Sequence, residues 1–139
     1  MTTAVERRPS VLLVEDEPAI GEIAAAALGE QGFEVRTVAS AGEALRCLNS
    51  GAPVDVLFTD INLSGGMDGA ALAQRARELR PGLPVLYTSG RAAALERLQP
   101  VDGAMVVPKP YNMFSLGRLL DCLLAPKLAV APLDSPAKV

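Results

Sequence analysis

Val11-Leu12-Leu13-Val14-Glu15-Asp16-Glu17-Pro18 is the stretch that decides the fold. Four consecutive apolar residues match a short strand covered on both faces. The run ends abruptly in three carboxylates, and Pro18 suits the first turn of a helix. Ile20, Ile23, Ala24, Ala27 and Leu28 then recur at i, i+3, i+4, i+7 and i+8, an apolar helical stripe that Gly32 closes.

The same strand-to-helix alternation runs through the rest of the chain. Phe33–Val38 alternates like an outer strand, with Glu34 and Arg36 marking an edge. Ser40-Ala41-Gly42-Glu43 has the form of a capping box ahead of a stripe of Ala41, Ala44, Leu45 and Leu48. Val54–Thr59 is a third strand and ends at Asp60. Asp68 is an N-cap for a helix carrying Leu72, Ala76 and Leu79, which Pro81-Gly82 terminates. Leu83–Tyr87 reads as a fourth strand, followed by Thr88-Ser89-Gly90 and an Ala-rich helix at 91–98. Ala104–Val107 is a fifth strand, and Asn112 caps a last helix with Leu116, Leu119, Leu120, Leu123 and Leu124. Five strands alternating with five helices predict an α/β domain with a parallel sheet. The domain is expected over 10–125, with an extension at 1–9 and a loose proline-containing tail at 126–139.

Composition narrows the function. The 139 residues are 50% apolar, enough for a core without metal or disulfide staples. Thirteen Lys and Arg against sixteen Asp and Glu give a net charge of −3, which disfavours direct binding to nucleic acid or an anionic membrane. There is no histidine, which excludes Ser-His-Asp and Cys-His catalysis and His-ligated zinc. Cys47 and Cys122 lie far apart with apolar neighbours, so both are read as small buried hydrophobes in a reducing cytoplasm. No apolar run approaches the ~20 residues that span a bilayer.

In an open parallel sheet, ligands bind beyond the carboxyl ends of the strands. Those ends carry Glu15 and Asp16, Asp60, Thr88 and Ser89, and Lys109. Carboxylates crowded together repel, and a hard cation such as Mg²⁺ relieves the repulsion while keeping waters for phosphate chemistry. Taken alone, Asp60 would be an ordinary strand-end turn residue and Lys109 loop punctuation between prolines. Glu17 is better explained as a charge at a helix N-terminus and is left out of the site.

Val11–Pro18, Val56-Leu57-Phe58-Thr59-Asp60, Met67-Asp68-Gly69, Pro84–Gly90 and Pro108-Lys109-Pro110 together resemble the response-regulator receiver domain, the CheY-like family, from about residue 10 to 124. The resemblance implies a flavodoxin-like (βα)5 doubly wound sheet of order 2-1-3-4-5. It implies that Asp60 accepts a phosphoryl group from a histidine kinase or a histidine phosphotransfer protein. Mg²⁺ would be held by Asp16, Asp60 and the backbone carbonyl of Asn62, with Glu15 beside them. Lys109 and Ser89 would bind phosphoryl oxygens, with Thr88 as the competing hydroxyl, and the Lys109–Pro110 bond would be cis. The chain would catalyse only its own phosphorylation and dephosphorylation, with no separate substrate turnover. The output would be a changed affinity for a partner protein, not yet identified, or a second copy through the face at 91–98, 104–107 and 112–124. The small residues Ala24–Ala27 offer a smooth surface for a four-helix phosphodonor, or plain core packing.

Two positions depart from the family. Val106 stands three residues before the lysine, where a Tyr or Phe often reports the state of the hydroxyl residue. Either the 91–98 helix moves without an aromatic lever or Tyr87 or Tyr111 substitutes. Ser64-Gly65-Gly66 replaces a common single proline, which predicts a longer and more flexible loop beside Asp60. The residues after the last helix are too few for an output domain, so a stand-alone regulator is expected ahead of the receiver of a hybrid histidine kinase. A phosphorylation-independent receiver-like binding module is the alternative that Val106 leaves open. A haloacid-dehalogenase phosphatase would need an Asp two residues after the nucleophile, where this chain has Asn62.

Overall fold

The computed structural model describes residues 8–125; the expected tail at 126–139 and residues 1–7 of the extension lie outside the described residues. The elements run β1 (Ser10–Val14), α1 (Pro18–Glu30), β2 (Glu34–Val38), α2 (Ala41–Asn49), β3 (Val56–Asp60), α3 (Gly69–Leu79), β4 (Val85–Ser89), α4 (Ala92–Arg97), β5 (Met105–Pro108) and α5 (Met113–Leu124). All strand pairs are parallel, in the order β2-β1-β3-β4-β5. Every residue of β1, β3 and β4 is buried, as continuous apolar runs covered by helices on both faces require.

Alternation along the strands divides the interior into two cores. Leu12, Val14, Leu57, Val85 and Tyr87 face one way and pack with Ala44, Leu48, Leu72 and Ala76 of α2 and α3. Val11, Leu13, Val56, Phe58 and Leu86 face the other and pack with Ala24, Leu28, Leu116 and Leu120 of α1 and α5. A fully buried Leu or Phe stabilises by about 1.5–3 kcal/mol, so these two layers dominate stability.

Helix starts follow from short polar side chains. Ser40 accepts from the Glu43 N–H at 3.2 Å, Asp68 from Ala71 at 2.9 Å, and Asn112 from Phe114 and Ser115 at 2.8 and 3.1 Å. The Glu43 carboxylate reaches back to the Ala39 N–H, one residue earlier than an ideal capping box.

Four expectations are corrected. Ile23 is 61% exposed, because α1 docks through Gly21, Ala24 and Leu28 and turns Ile23 outward beside the exposed Glu22. Leu79 is 38% exposed at the end of α3, which turns Leu72, Ala73 and Ala76 inward. Cys47 is buried but Cys122 is exposed, since Leu116, Leu120 and Leu123 set the inner face of α5. The fourth strand extends through Thr88 and Ser89, whose carbonyls accept from Ile61 and Lys109 N–H at 2.8 and 2.9 Å. Polar residues there remain strand because the neighbouring strands satisfy their backbone groups. No helix among the described residues is long and apolar enough to cross a membrane.

Candidate functional site

Three strands bring residues at their carboxyl ends to one spot: Asp60 closes β3, and Glu15 and Lys109 directly follow β1 and β5. Lys109 Nζ lies 2.7 Å from Asp60 Oδ2 and 3.2 Å from Glu15 Oε1, one ammonium shared by two carboxylates. Both acids are 6% exposed, so the charges meet where water screens them poorly. The remaining carboxylate oxygens are held by backbone amides. Asp60 Oδ1 accepts from Asn62 N–H at 3.0 Å and Glu15 Oε2 from Glu17 N–H at 3.1 Å. The Lys109–Pro110 peptide is cis, as expected.

Electrostatics follow from this arrangement. Burial pushes the Glu15 carboxyl above its ordinary range, against the pull of the Glu17 amide and the Lys109 ammonium. For Lys109 burial acts downward, but the hydrogen bonds and charges of Asp60 and Glu15 outweigh it and hold the ammonium above its usual value. Lys109 therefore carries its charge throughout the physiological range.

Asp16 stands at the rim, its Oδ2 accepting from the Ser64 N–H at 3.0 Å. The glycine-containing loop is thus tied back onto the site, with Gly65 and Gly66 at φ of 85° and 109° making the turn. The two candidate hydroxyls separate clearly. Ser89 Oγ donates to Asn62 Oδ1 at 2.7 Å and accepts from the Arg91 N–H at 3.0 Å. Thr88, in register with Asp60, is 2% exposed and its Oγ1 has no hydrogen-bond partner among the described residues. A buried hydroxyl without a partner is destabilising. Thr88→Val is therefore expected to raise stability by about 1 kcal/mol, read as a higher urea midpoint at unchanged slope; a lower midpoint would show that the hydroxyl is satisfied in solution.

The profile of the response regulator receiver domain matches residues 11–120. The chain belongs to that family. Transcriptional regulatory protein TcrA of Mycobacterium tuberculosis is 35% identical over 108 residues, which cover 76% of this chain and 42% of TcrA. The chain thus spans less than half the length of that relative. A response regulator receiver protein from Sinorhizobium medicae superposes with a TM-score of 0.80 at 32% identity, covering 86% of this chain and 96% of that one. Response regulator TrrA of Thermotoga maritima, solved in complex with Mg²⁺–BeF, superposes at a TM-score of 0.75 with 27% identity, covering 84% of this chain and 99% of that one.

The receiver's donor set fits a hydrated Mg²⁺ ion. Among the described residues no three or more His, Cys, Asp or Glu side chains are gathered so as to hold a metal ion by themselves, so waters and a backbone carbonyl would have to complete the shell. Carboxylate oxygens on one side of an open rim, two of them sharing a single ammonium, suit a hard cation that keeps several waters. Of the residues the sequence singled out, the structure brings Glu15, Asp60 and Lys109 into direct contact, joins Ser89 to Asp60 through Asn62, and leaves Asp16 bonded to Ser64. From the sequence the Asn62 side chain has no role, although an Asn two residues past a strand-end carboxylate is within reach of the next strand's end.

Neither tyrosine takes the position of the missing aromatic. Tyr87 is fully buried and its hydroxyl accepts from the Val101 N–H at 3.1 Å. Tyr111 packs on Phe58, ring centroids 5.8 Å apart, in the opposite core. Val106, in register with Tyr87, is 40% exposed.

Proposed function

We propose that this receiver is a phosphorylation-dependent protein-interaction switch of the cytoplasm, with Asp60 as the phosphoacceptor. The observation that carries the reading is Asp60 Oδ2 at 2.7 Å from Lys109, with Glu15 sharing the same ammonium. A carboxylate oxygen of Asp60 attacks the phosphorus of a phosphohistidine on a histidine kinase or phosphotransfer protein. The O–P bond forms, the P–N bond breaks and the imidazole leaves. Positioning and charge neutralisation supply most of the catalysis in such a transfer. Lys109 moves its charge from the bare carboxylate to a phosphoryl oxygen, and the Ser89 hydroxyl donates to another. Asp16, Asp60 and the carbonyl of Asn62 would hold Mg²⁺, with Glu15 beside them, and the ion supplies charge neutralisation for the phosphoryl oxygens.

The signal leaves through the face made by α4, β5 and α5. There Val106 is 40% and Phe114 75% exposed, and α4 contributes no buried residue. Exposed apolar groups beside a lightly anchored helix suit a partner protein or a second copy of the chain.

Intact-mass spectrometry after incubation with acetyl phosphate tests the reading. One phosphoryl adduct is expected on the wild type with Mg²⁺, and none with EDTA or in Asp60→Asn. An adduct that survives in Asp60→Asn, or a wild type inert to both acetyl phosphate and beryllofluoride, would overturn it.

A further inference from the structure

We infer that the Asn62 side chain is a positioning residue that holds the Ser89 hydroxyl in the unphosphorylated protein, so that phosphorylation is sensed at Asn62. The inference rests on the phosphoacceptor reading of Asp60.

A serine hydroxyl has one proton to donate. In the structure that proton goes to Asn62 Oδ1 at 2.7 Å, so it cannot simultaneously serve an oxygen on Asp60. Asn62 and a phosphoryl group are therefore competing acceptors for a single donor. Ser89 is fully buried, which makes the donor costly to leave unpaired and the competition all-or-none. Residue 62 is tied at both ends, since its own N–H donates to Asp60 Oδ1 at 3.0 Å while its side chain holds Ser89.

The same hydroxyl oxygen accepts from Arg91 N–H at 3.0 Å, immediately ahead of α4. One side chain thus joins the loop after β3 to the start of α4. Asn62 lies in the wall of an open groove of about 720 Å³ between α3 and α4, lined also by Met67, Ala71, Ala94 and Leu98 among others. Redirecting the Ser89 proton releases the Asn62 carboxamide into that groove. The usual aromatic lever is absent: Val106 offers no hydrogen bond and Tyr87 is committed to Val101.

A double-mutant cycle on beryllofluoride affinity, followed by NMR at fixed Mg²⁺, tests this. Asn62→Ala keeps the backbone carbonyl and removes the competing acceptor, so binding should tighten about 3- to 10-fold, the worth of one net hydrogen bond. In a Ser89→Ala background the same change should alter affinity less than about 2-fold. Asn62→Leu, which keeps the bulk and removes both polar atoms, should reproduce Asn62→Ala. In the wild type, the Asn62 side-chain amide resonances should shift on binding. Equal effects in both backgrounds, or weaker binding by Asn62→Ala, would overturn the inference while leaving Asp60 as acceptor. A wild type that never binds beryllofluoride would remove both.

Discussion

Lys109→Met is expected to destabilise the protein by about 2–3 kcal/mol at pH 7 in the absence of divalent cations. Lys109 is the cation shared by Glu15 and Asp60, two carboxylates only 6% exposed. Removing it leaves two like charges in a poorly hydrated site. Breaking a fully buried pair costs about 3–5 kcal/mol, and the 22% exposure of the Lys109 side chain reduces that figure. The penalty should shrink on acidification. The Glu15 carboxyl is already shifted up by burial, and losing the ammonium that pulls it down shifts it further. A group whose folded pKa exceeds its unfolded value contributes stability that is full below the unfolded value and lost as pH rises through the folded one. The variant should therefore approach the wild type as pH falls from 7 toward the ordinary glutamate value of 4.5. Urea unfolding in chelator at several pH values measures this. Equal stability at pH 7, or a gap that widens in acid, would show that Lys109 is not the compensating charge.

The second large effect is steric. Gly69 opens α3 directly after the Asp68 cap, and its N–H donates to the Ile61 carbonyl at 2.8 Å. A Cβ there would land on the Asp60 carbonyl oxygen, with the Asp60 carbonyl carbon and Ile61 Cα both 2.9 Å away. All three are backbone atoms, so no rotamer change relieves the overlap. At Gly117 an added Cβ would meet only the end of the Gln31 side chain, which can swing aside. Gly69→Ala must displace either α3 or the end of β3, and a loss above about 3 kcal/mol is expected. Because the displaced strand end carries Asp60, the proposed acceptor, the surviving folded protein should also take up a phosphoryl group from acetyl phosphate more slowly. Thermal unfolding with initial phosphorylation rates checks both; a variant within about 0.5 kcal/mol of wild type would refute the close approach.

Much of this receiver was legible from local pattern. A strand period of two, a helical period near 3.6 and short polar caps are properties of adjacent residues, and they placed five strands, five helices and three of the caps. The rim was legible for the same reason: in a parallel sheet every strand ends at the same edge, so naming the residues after each apolar run names neighbours in space. Glu15, Asp60 and Lys109 meet as that rule requires.

Other features depend on partners far away in the chain. Ile23 points outward because α1 docks through Gly21, Ala24 and Leu28, and the apolar residues spread over most of this helix do not by themselves mark which face turns inward. Thr88 and Ser89 belong to β4 because Ile61 and Lys109 donate to their carbonyls. Asn62 gained its contact with Ser89 across 27 residues of sequence. Gly69 must be glycine because the Asp60 carbonyl passes beneath it. Periodicity and polarity are local and survive in a one-dimensional reading; complementarity between surfaces and competition for a single hydrogen bond exist only once the chain has folded.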